Sequence, residues 1–366
     1  MEGKQNNTQE NKEETDNEQQ GKKWLYISLA LATLFVVLFF VTFFVVRAYF
    51  TYVNKPGIEK NTNIEQNADG VASGDYVRRK IDGVYVEKGE EDLYPIAVII
   101  DNHPDAYPQA GLASANLVFE VEVEGGISRY MAIYSDSEGS EEIGPIRSAR
   151  PYFLDWVQEF SACFTHCGGS PEALVRISRD NILDMNEFYK GEYFWRDEDR
   201  PMPHNVMTSN SNLREYLSVK EKEEASYFGW KFKDPQILDT EAEHDSEINV
   251  SNFGVKWVFD PEANEYTRYL HGEVHEESDG TDIKARNIAV AYVEAKVIDE
   301  ILRLEMQTIG TSSALICFDG NCREGEWHKK SSSARMRFYT IKGEEFIFNS
   351  GTTWVEVIRP EYKVEY

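Results

Sequence analysis

From Trp24 to Val46 the chain is an almost unbroken apolar run in which only Ser28, Thr33 and Thr42 are polar. As a helix rising about 1.5 Å per residue, such a run crosses a hydrocarbon core of about 30 Å. Trp24 and Tyr26 at one end, and Tyr49 and Tyr52 at the other, sit where amphipathic rings anchor a helix at the two interfaces. A cleaved signal peptide carries a shorter apolar region, about 7–15 residues, ahead of small residues. Here the run is longer and Arg47-Ala48-Tyr49-Phe50 is a poor cleavage site, so the segment predicts a single, uncleaved N-terminal transmembrane helix.

Lys22 and Lys23 on one flank nearly balance Arg47 and Lys55 on the other, so the positive-inside rule does not orient the helix. The distribution of foldable sequence does. Residues 1–23 are rich in Asn, Gln and Glu and lack the apolar content of a core, as expected of a disordered cytoplasmic tail. Residues 47–75 read as a flexible stalk, and all remaining sequence follows it. The expected location is the cell membrane, single-pass, with the bulk of the chain extracellular. Lys plus Arg number 38 against 64 Asp plus Glu, a formal charge of −26, which excludes nucleic acid and anionic lipid as bulk partners. Any basic pocket must be assembled against that field.

Four cysteines are present. Cys163 and Cys167 fall at a strand end, where four residues span about 13 Å at about 3.3 Å each, too far for a bridge. Cys317 and Cys322 flank Phe318-Asp319-Gly320-Asn321, a turn signal that lets them face each other across a hairpin and pair outside the cell. Neither spacing offers the paired knuckles of a closed zinc site, so no metal and no cofactor is expected.

Beyond the stalk, Pro95 to Ile100 predicts a buried strand feeding the polar turn Asp101-Asn102-His103-Pro104. Leu117 to Glu124 alternates with period two, which turns Phe119, Val121 and Val123 to a core and puts Glu120, Glu122 and Glu124 on the other face. Stacked carboxylates need solvent, a cation or arginines opposite. Gly125-Gly126 and Arg129 follow directly. The elbow Ile143-Gly144-Pro145-Ile146-Arg147-Ser148-Ala149-Arg150-Pro151-Tyr152 then sets two arginines beside a small-residue turn, with Ser148 as a candidate N-cap of a helix through Phe160. Arginine forks beside such a corner suit a carboxylate or phosphate. A second corner follows: a strand ends in His166-Cys167-Gly168-Gly169, and Ser170 caps a helix opening at Pro171. The third polar concentration is the proline-punctuated loop Phe194 to Asn205, carrying Arg196, His204 and Asn205.

After a helix near Leu213 to Lys220, residues 234–249 are acidic and poor in aromatics, and read as a linker. The remainder is a series of short strand signals between turn residues. The expected fold is an α+β (mixed α/β) N-terminal domain over residues 76–233, bearing the pocket, followed by a β-rich C-terminal domain over residues 250–366.

Taken in order, Asp101-Asn102-His103-Pro104, Glu124-Gly125-Gly126 with Arg129, Gly144 to Pro151, His166 with Gly168-Gly169-Ser170, Pro203-His204-Asn205 and Gly325-Glu326-Trp327 resemble the YerB-like family of bacterial extracytoplasmic lipoproteins. The resemblance runs from about Tyr94 to the C-terminus. It implies a Gram-positive-type envelope protein facing outward, and it groups the three polar loops into one pocket. Family members are lipoproteins with a cysteine after a short signal; no cysteine precedes Cys163 here, so the apolar helix takes over as anchor.

The function expected is a binding or scaffold protein for an acidic wall component or an envelope partner. Its arginine-rich anion pocket would draw on Asn102, Arg129, Arg147, Ser148, Arg150, Ser170, Arg196, His204 and Asn205. The alternative is a transferase or hydrolase acting on a phosphorylated or glycosidic envelope substrate. There the arginines stabilise charge and Asp101, Glu124 or His166 serve as acid or base, with a divalent ion on Asp101 and Glu124 as a possible addition.

Overall fold

The computed structural model describes residues 75–240, 242, 244–245, 247–250 and 253–366. The expected tail, the transmembrane helix over Trp24 to Val46 and nearly all of the stalk lie outside the described residues. Among the described residues, no helix is long and apolar enough to cross a membrane.

The protein is mostly β, organised on one mixed ten-stranded sheet. Its strands, in chain order, are β1 (Ile96–Asp101), β2 (Leu117–Glu122), β3 (Ser128–Tyr134), β4 (Cys163–His166), β5 (Asp184–Asn186), β6 (Asn287–Tyr292), β7 (Gly310–Phe318), β8 (Asn321–Lys329), β9 (Arg337–Thr340) and β10 (Thr353–Ile358). Across the sheet they run β9-β8-β7-β6-β10-β2-β3-β1-β4-β5. The N-terminal half thus supplies one contiguous block and the C-terminal half the other, joined where β10 lies parallel to β2 and aligns Glu356 with Glu120. A strand signal carries no information about which neighbour it will pair with. The C-terminal strands therefore read as a self-contained sandwich or barrel, whereas five of them extend the N-terminal sheet. Both β2 and β10 are buried along their whole length, which requires a strand on each edge and cover on each face.

Among the described residues, three α-helices pack on this sheet: α1 (Phe153–Glu159), α2 (Pro171–Arg179) and α3 (Asn210–Val219). One face of the sheet buries Leu117, Phe119 and Val121 with Phe153, Trp156 and Val157 of α1, as the alternation of β2 predicts. Phe119 and Trp156 stack at 5.3 Å. The opposite face is not the solvated outer face that a strand bearing three glutamates suggests. A second, six-stranded sheet, including Val255–Asp260 and Glu265–Leu270, covers it with Trp257 and Tyr266. Its strand Glu247–Val250 begins within the stretch expected as a linker.

Covering the acidic face makes partners obligatory, and each glutamate finds an arginine. Arg268 Nη2 donates to Glu120 Oε2 at 2.6 Å, Arg359 donates to both oxygens of Glu122 at 2.7 and 2.8 Å, and Arg150 takes Glu124. Arg268 and Glu120 are fully buried. Burial, and then the adjacent Glu120 charge, push the Glu356 carboxyl well above its usual range. Burial, with the neighbouring Arg268, pushes the His275 imidazole well down. Neutral His275 lies 2.6 Å from Arg268 Nη1 and 2.9 Å from Gln109 Oε1, and Gln109 Nε2 donates to the Asp101 carbonyl at 3.0 Å. A continuous polar chain thus runs from the seam of the sheet to the end of β1. On the helical side, Glu159 of α1 accepts from Lys329 Nζ at 2.8 Å and from the Met336 N–H at 2.7 Å. It also pairs with Arg335, fixing α1 to the C-terminal half.

Candidate anion and histidine sites

The arginine elbow crosses the ends of β1 and β4. Arg147 N–H donates to Ile99 O at 2.9 Å, Cys167 N–H to Arg147 O at 3.0 Å and Ala149 N–H to Gly168 O at 3.0 Å. This pairing keeps the chain extended through Ala149, so Ser148 is not a helix cap: α1 opens at Phe153 with Tyr152 as its cap residue. Gly144, at φ +150°, is required by space, since a Cβ there would meet Met207 Sδ at 2.8 Å and Val206 O at 2.9 Å. The second corner forms as expected. Ser170 caps α2, its Oγ accepting from the Ala173 N–H at 3.3 Å, with Pro171 in the first turn.

Between these two corners lies a cavity of about 270 Å³ bordered by Glu124, Ser148, Arg150, Ser170, Ile301 and Arg303, with Gly169 and Pro171. Arg150 donates from Nη2 to Glu124 Oε2 at 2.9 Å, from Nη1 to Ala149 O at 2.8 Å and from Nε to Glu124 Oε1. Burial alone would push the Glu124 carboxyl up, but the hydrogen bonds and charge of Arg150 outweigh it and hold it below its usual range. Arg129 Nη1 donates to Ser148 O at 2.9 Å, and among the described residues Arg129 makes no ion pair. Burial first, and the Arg150 charge second, bring its guanidinium down to about 10 against the pull of Asp101. Arg303, absent from the sequence expectation, reaches the rim from the C-terminal half and pairs with Glu172 at 2.7 Å and with Asp299.

A separate cluster sits at the end of β1. Asp101 is fully buried. Its Oδ2 lies 2.6 Å from His204 Nδ1 and 3.0 Å from Arg147 Nε, while Oδ1 accepts the His103 N–H at 3.2 Å. The His103 and His204 rings stack at 4.4 Å and 17°. Arg147 Nη1 also donates to Pro203 O at 3.3 Å, tying the elbow to the His204 loop.

The remaining expected residues serve other contacts. Asn102 faces inward, donating to Ser128 Oγ at 2.8 Å and accepting from Gln109 at 3.2 Å. Arg196 donates to Asn205 Oδ1 at 3.0 Å and Glu187 Oε1 at 3.1 Å. His166 is fully buried, with Nδ1 at 2.6 Å from Gly168 O and Nε2 at 3.3 Å from Asp184 Oδ2. Burial pushes the adjacent Cys167 thiol up to about 11. The three loops therefore do not close one pocket. Ser148, Arg150, Ser170 and Glu124 share the cavity; Asp101, Arg147 and His204 share the histidine cluster; Asn102, His166, Arg196 and Asn205 lie in neither. The cavity's C-terminal wall gave only a weak signal, Asp299 and Arg303 in a stretch of mixed charged and apolar residues.

Two families match this chain: protein of unknown function (DUF3048) N-terminal domain over residues 82–224, and DUF3048 C-terminal domain over residues 246–355. A protein of Bacillus subtilis (strain 168) named "Putative lipoprotein YerB" is 28% identical over 292 residues, covering 77% of this chain and 86% of its own length. The crystal structure of the YerB protein from Bacillus subtilis has a TM-score of 0.70 with 26% identity, covering 79% of this chain and 100% of that one. The chain belongs to the two-part DUF3048 family of proteins of unknown function, homologous to Bacillus YerB.

Proposed function

We propose that this is an envelope protein, held at the outer face of the cell membrane, whose cavity beside Arg150 binds an anionic group of a wall component. The observation that carries this reading is a local surplus of positive charge. At the Arg150 end of the cavity two arginines, Arg129 and Arg150, stand beside one carboxylate, Glu124, a balance of +1 in a protein of formal charge −26, while Arg303 at the rim is paired with Glu172 and Asp299. The Arg129 guanidinium is lowered first by burial, and the neighbouring Arg150 charge adds to that lowering. Arg150 and Arg303, the Ser148 and Ser170 side chains and the N-terminal turn of α2 border one cavity, a donor set for a phosphate or carboxylate. Binding is favoured over the enzyme alternative because both Glu124 oxygens are engaged by Arg150, and the other acid and base candidates, Asp101 and His166, are buried.

Trp24 to Val46 serves as the membrane anchor in this reading, in place of the lipidated cysteine that a lipoprotein relative would use. The Cys317–Cys322 disulfide, which forms across the β7–β8 hairpin as its turn suggests, supports an oxidising compartment.

The test is calorimetric titration of the full chain, in detergent, with a glycerol-phosphate oligomer. Replacing Arg150 by Ala should weaken binding at least tenfold, the scale of about 1.5–3 kcal/mol for a charge-assisted contact. Equal affinity for the two proteins refutes the assignment.

A further inference from the structure

The histidine cluster at the end of β1 is not needed for anion binding, and its chemistry is of another kind. We propose that His103, Asp105 and His204 form a binding site for a zinc-type divalent transition-metal ion, with Asp101 as the carboxylate that orients His204. One ligand atom from each of the three residues lies within 4.8 Å of the others. His103 Nδ1 and Asp105 Oδ2 are 3.6 Å apart, and Nδ1 now accepts the Asp105 N–H at 3.2 Å, a bond that the ion replaces. Ligands about 2.0–2.1 Å from a tetrahedral ion stand about 3.3 Å from each other, so that pair closes by a few tenths of an ångström and the third by a rotamer adjustment.

Two further features show a built arrangement. The first is the Asp101–His204 contact of 2.6 Å, made by a fully buried carboxylate to Nδ1. It places the proton on Nδ1 and leaves Nε2 as a lone pair, the arrangement by which an outer carboxylate fixes the tautomer and raises the basicity of a metal-bound imidazole. The second is the clamp that brings the two loops together. Arg200, from the loop of His204, donates to Ala106 O at 3.0 Å and Pro108 O at 2.7 Å, in the loop of His103 and Asp105. Ligands about a hundred positions apart in sequence are thereby held side by side.

The donor set selects the ion. Two imidazoles and one carboxylate suit zinc and its first-row neighbours rather than magnesium or calcium, which prefer oxygen ligands. Counting Asp101 and Asp105 against Arg147, the neighbourhood carries a net negative charge suited to a cation. His103 and Asp105 are exposed at 37% and 60% of their side chains, so the fourth position opens to water.

The experiment is titration of the metal-stripped full chain with zinc, read by competition with a chromophoric chelator, and with cobalt, read by visible absorption. One zinc per chain is expected, together with the intense visible bands of low-coordinate cobalt. Asp105→Ala, a change at an exposed position that leaves the fold intact, should weaken zinc at least tenfold. Asp101→Asn should weaken it about 10–100-fold. Arg150→Ala should leave it unchanged, so loss of this site and loss of the anion site are told apart. Absence of stoichiometric zinc binding, or binding undiminished in a His103→Ala, Asp105→Ala double variant, overturns the proposal.

Discussion

Replacing Glu124 by Gln should strengthen anion binding, the opposite of the usual effect of removing a charged residue from a binding site. Both Glu124 oxygens lie on the Arg150 guanidinium, one of them 2.9 Å from Nη2. An incoming phosphate must share that fork with a resident carboxylate. The two side chains are 15% and 19% exposed, which places the pair between bare surface and sealed interior. For a ligand charge about 6 Å from the carboxylate and an effective dielectric of about 20–40, the repulsion relieved is about 1.4–2.8 kcal/mol. Salt screening brings this to about 1–2 kcal/mol, or roughly 5- to 30-fold in Kd. Calorimetric titration with a glycerol-phosphate oligomer at low and physiological salt measures it, with the larger gain at low salt. Unchanged or weaker binding by a variant with wild-type thermal stability would refute the charge argument.

Two predictions concern stability. Arg268→Met strands the Glu120 charge among buried rings and should cost about 3–5 kcal/mol in urea unfolding, most of it recovered when Glu120→Gln is added; a loss below about 1 kcal/mol would contradict the role given to this pair. Glu277 is buried and its carboxyl is pushed up to about 7 by that burial. Between the unfolded value of about 4.3 and 7 the native protein holds a proton that the unfolded chain releases, so stability falls as pH rises through this window, by about 3–4 kcal/mol in all. Glu277→Gln should flatten that slope, and an unaltered pH profile would count against it.

The sequence carried the local elements because their signals are local. Ser170 ahead of Pro171 is a cap and first-turn pair, and it caps α2; the period of Leu117 to Glu124 assigns Phe119 and Val121 to the helical face correctly. What it did not carry is pairing at a distance. Three glutamates on one face demand solvent or cations, but the identity of Arg268 and Arg359 as partners of Glu120 and Glu122 depends on β10 joining β2, which no composition signal announces. The strand β8 carries a weak signal of its own, because its inward positions include Gly325 and Lys329, the latter buried on Glu159. The expectation of no metal rested on the spacing of cysteines, and so took no account of two histidines brought together by the Arg200 clamp. The elbow misled in one respect: Ser-Ala-Arg-Pro reads as a helix entry, yet backbone pairing to Gly168 holds it extended, and its arginines turn to Asp101 and Glu124 instead.

The most direct test of the central claim is a crystal structure of the protein grown with a glycerol-phosphate ligand. Phosphate oxygens are expected about 2.7–3.2 Å from Arg150 and from the Ser148 or Ser170 hydroxyl, inside the cavity bordered by Arg303. An empty cavity at saturating ligand, with Arg150 still closed on Glu124 and the phosphate elsewhere, would contradict it.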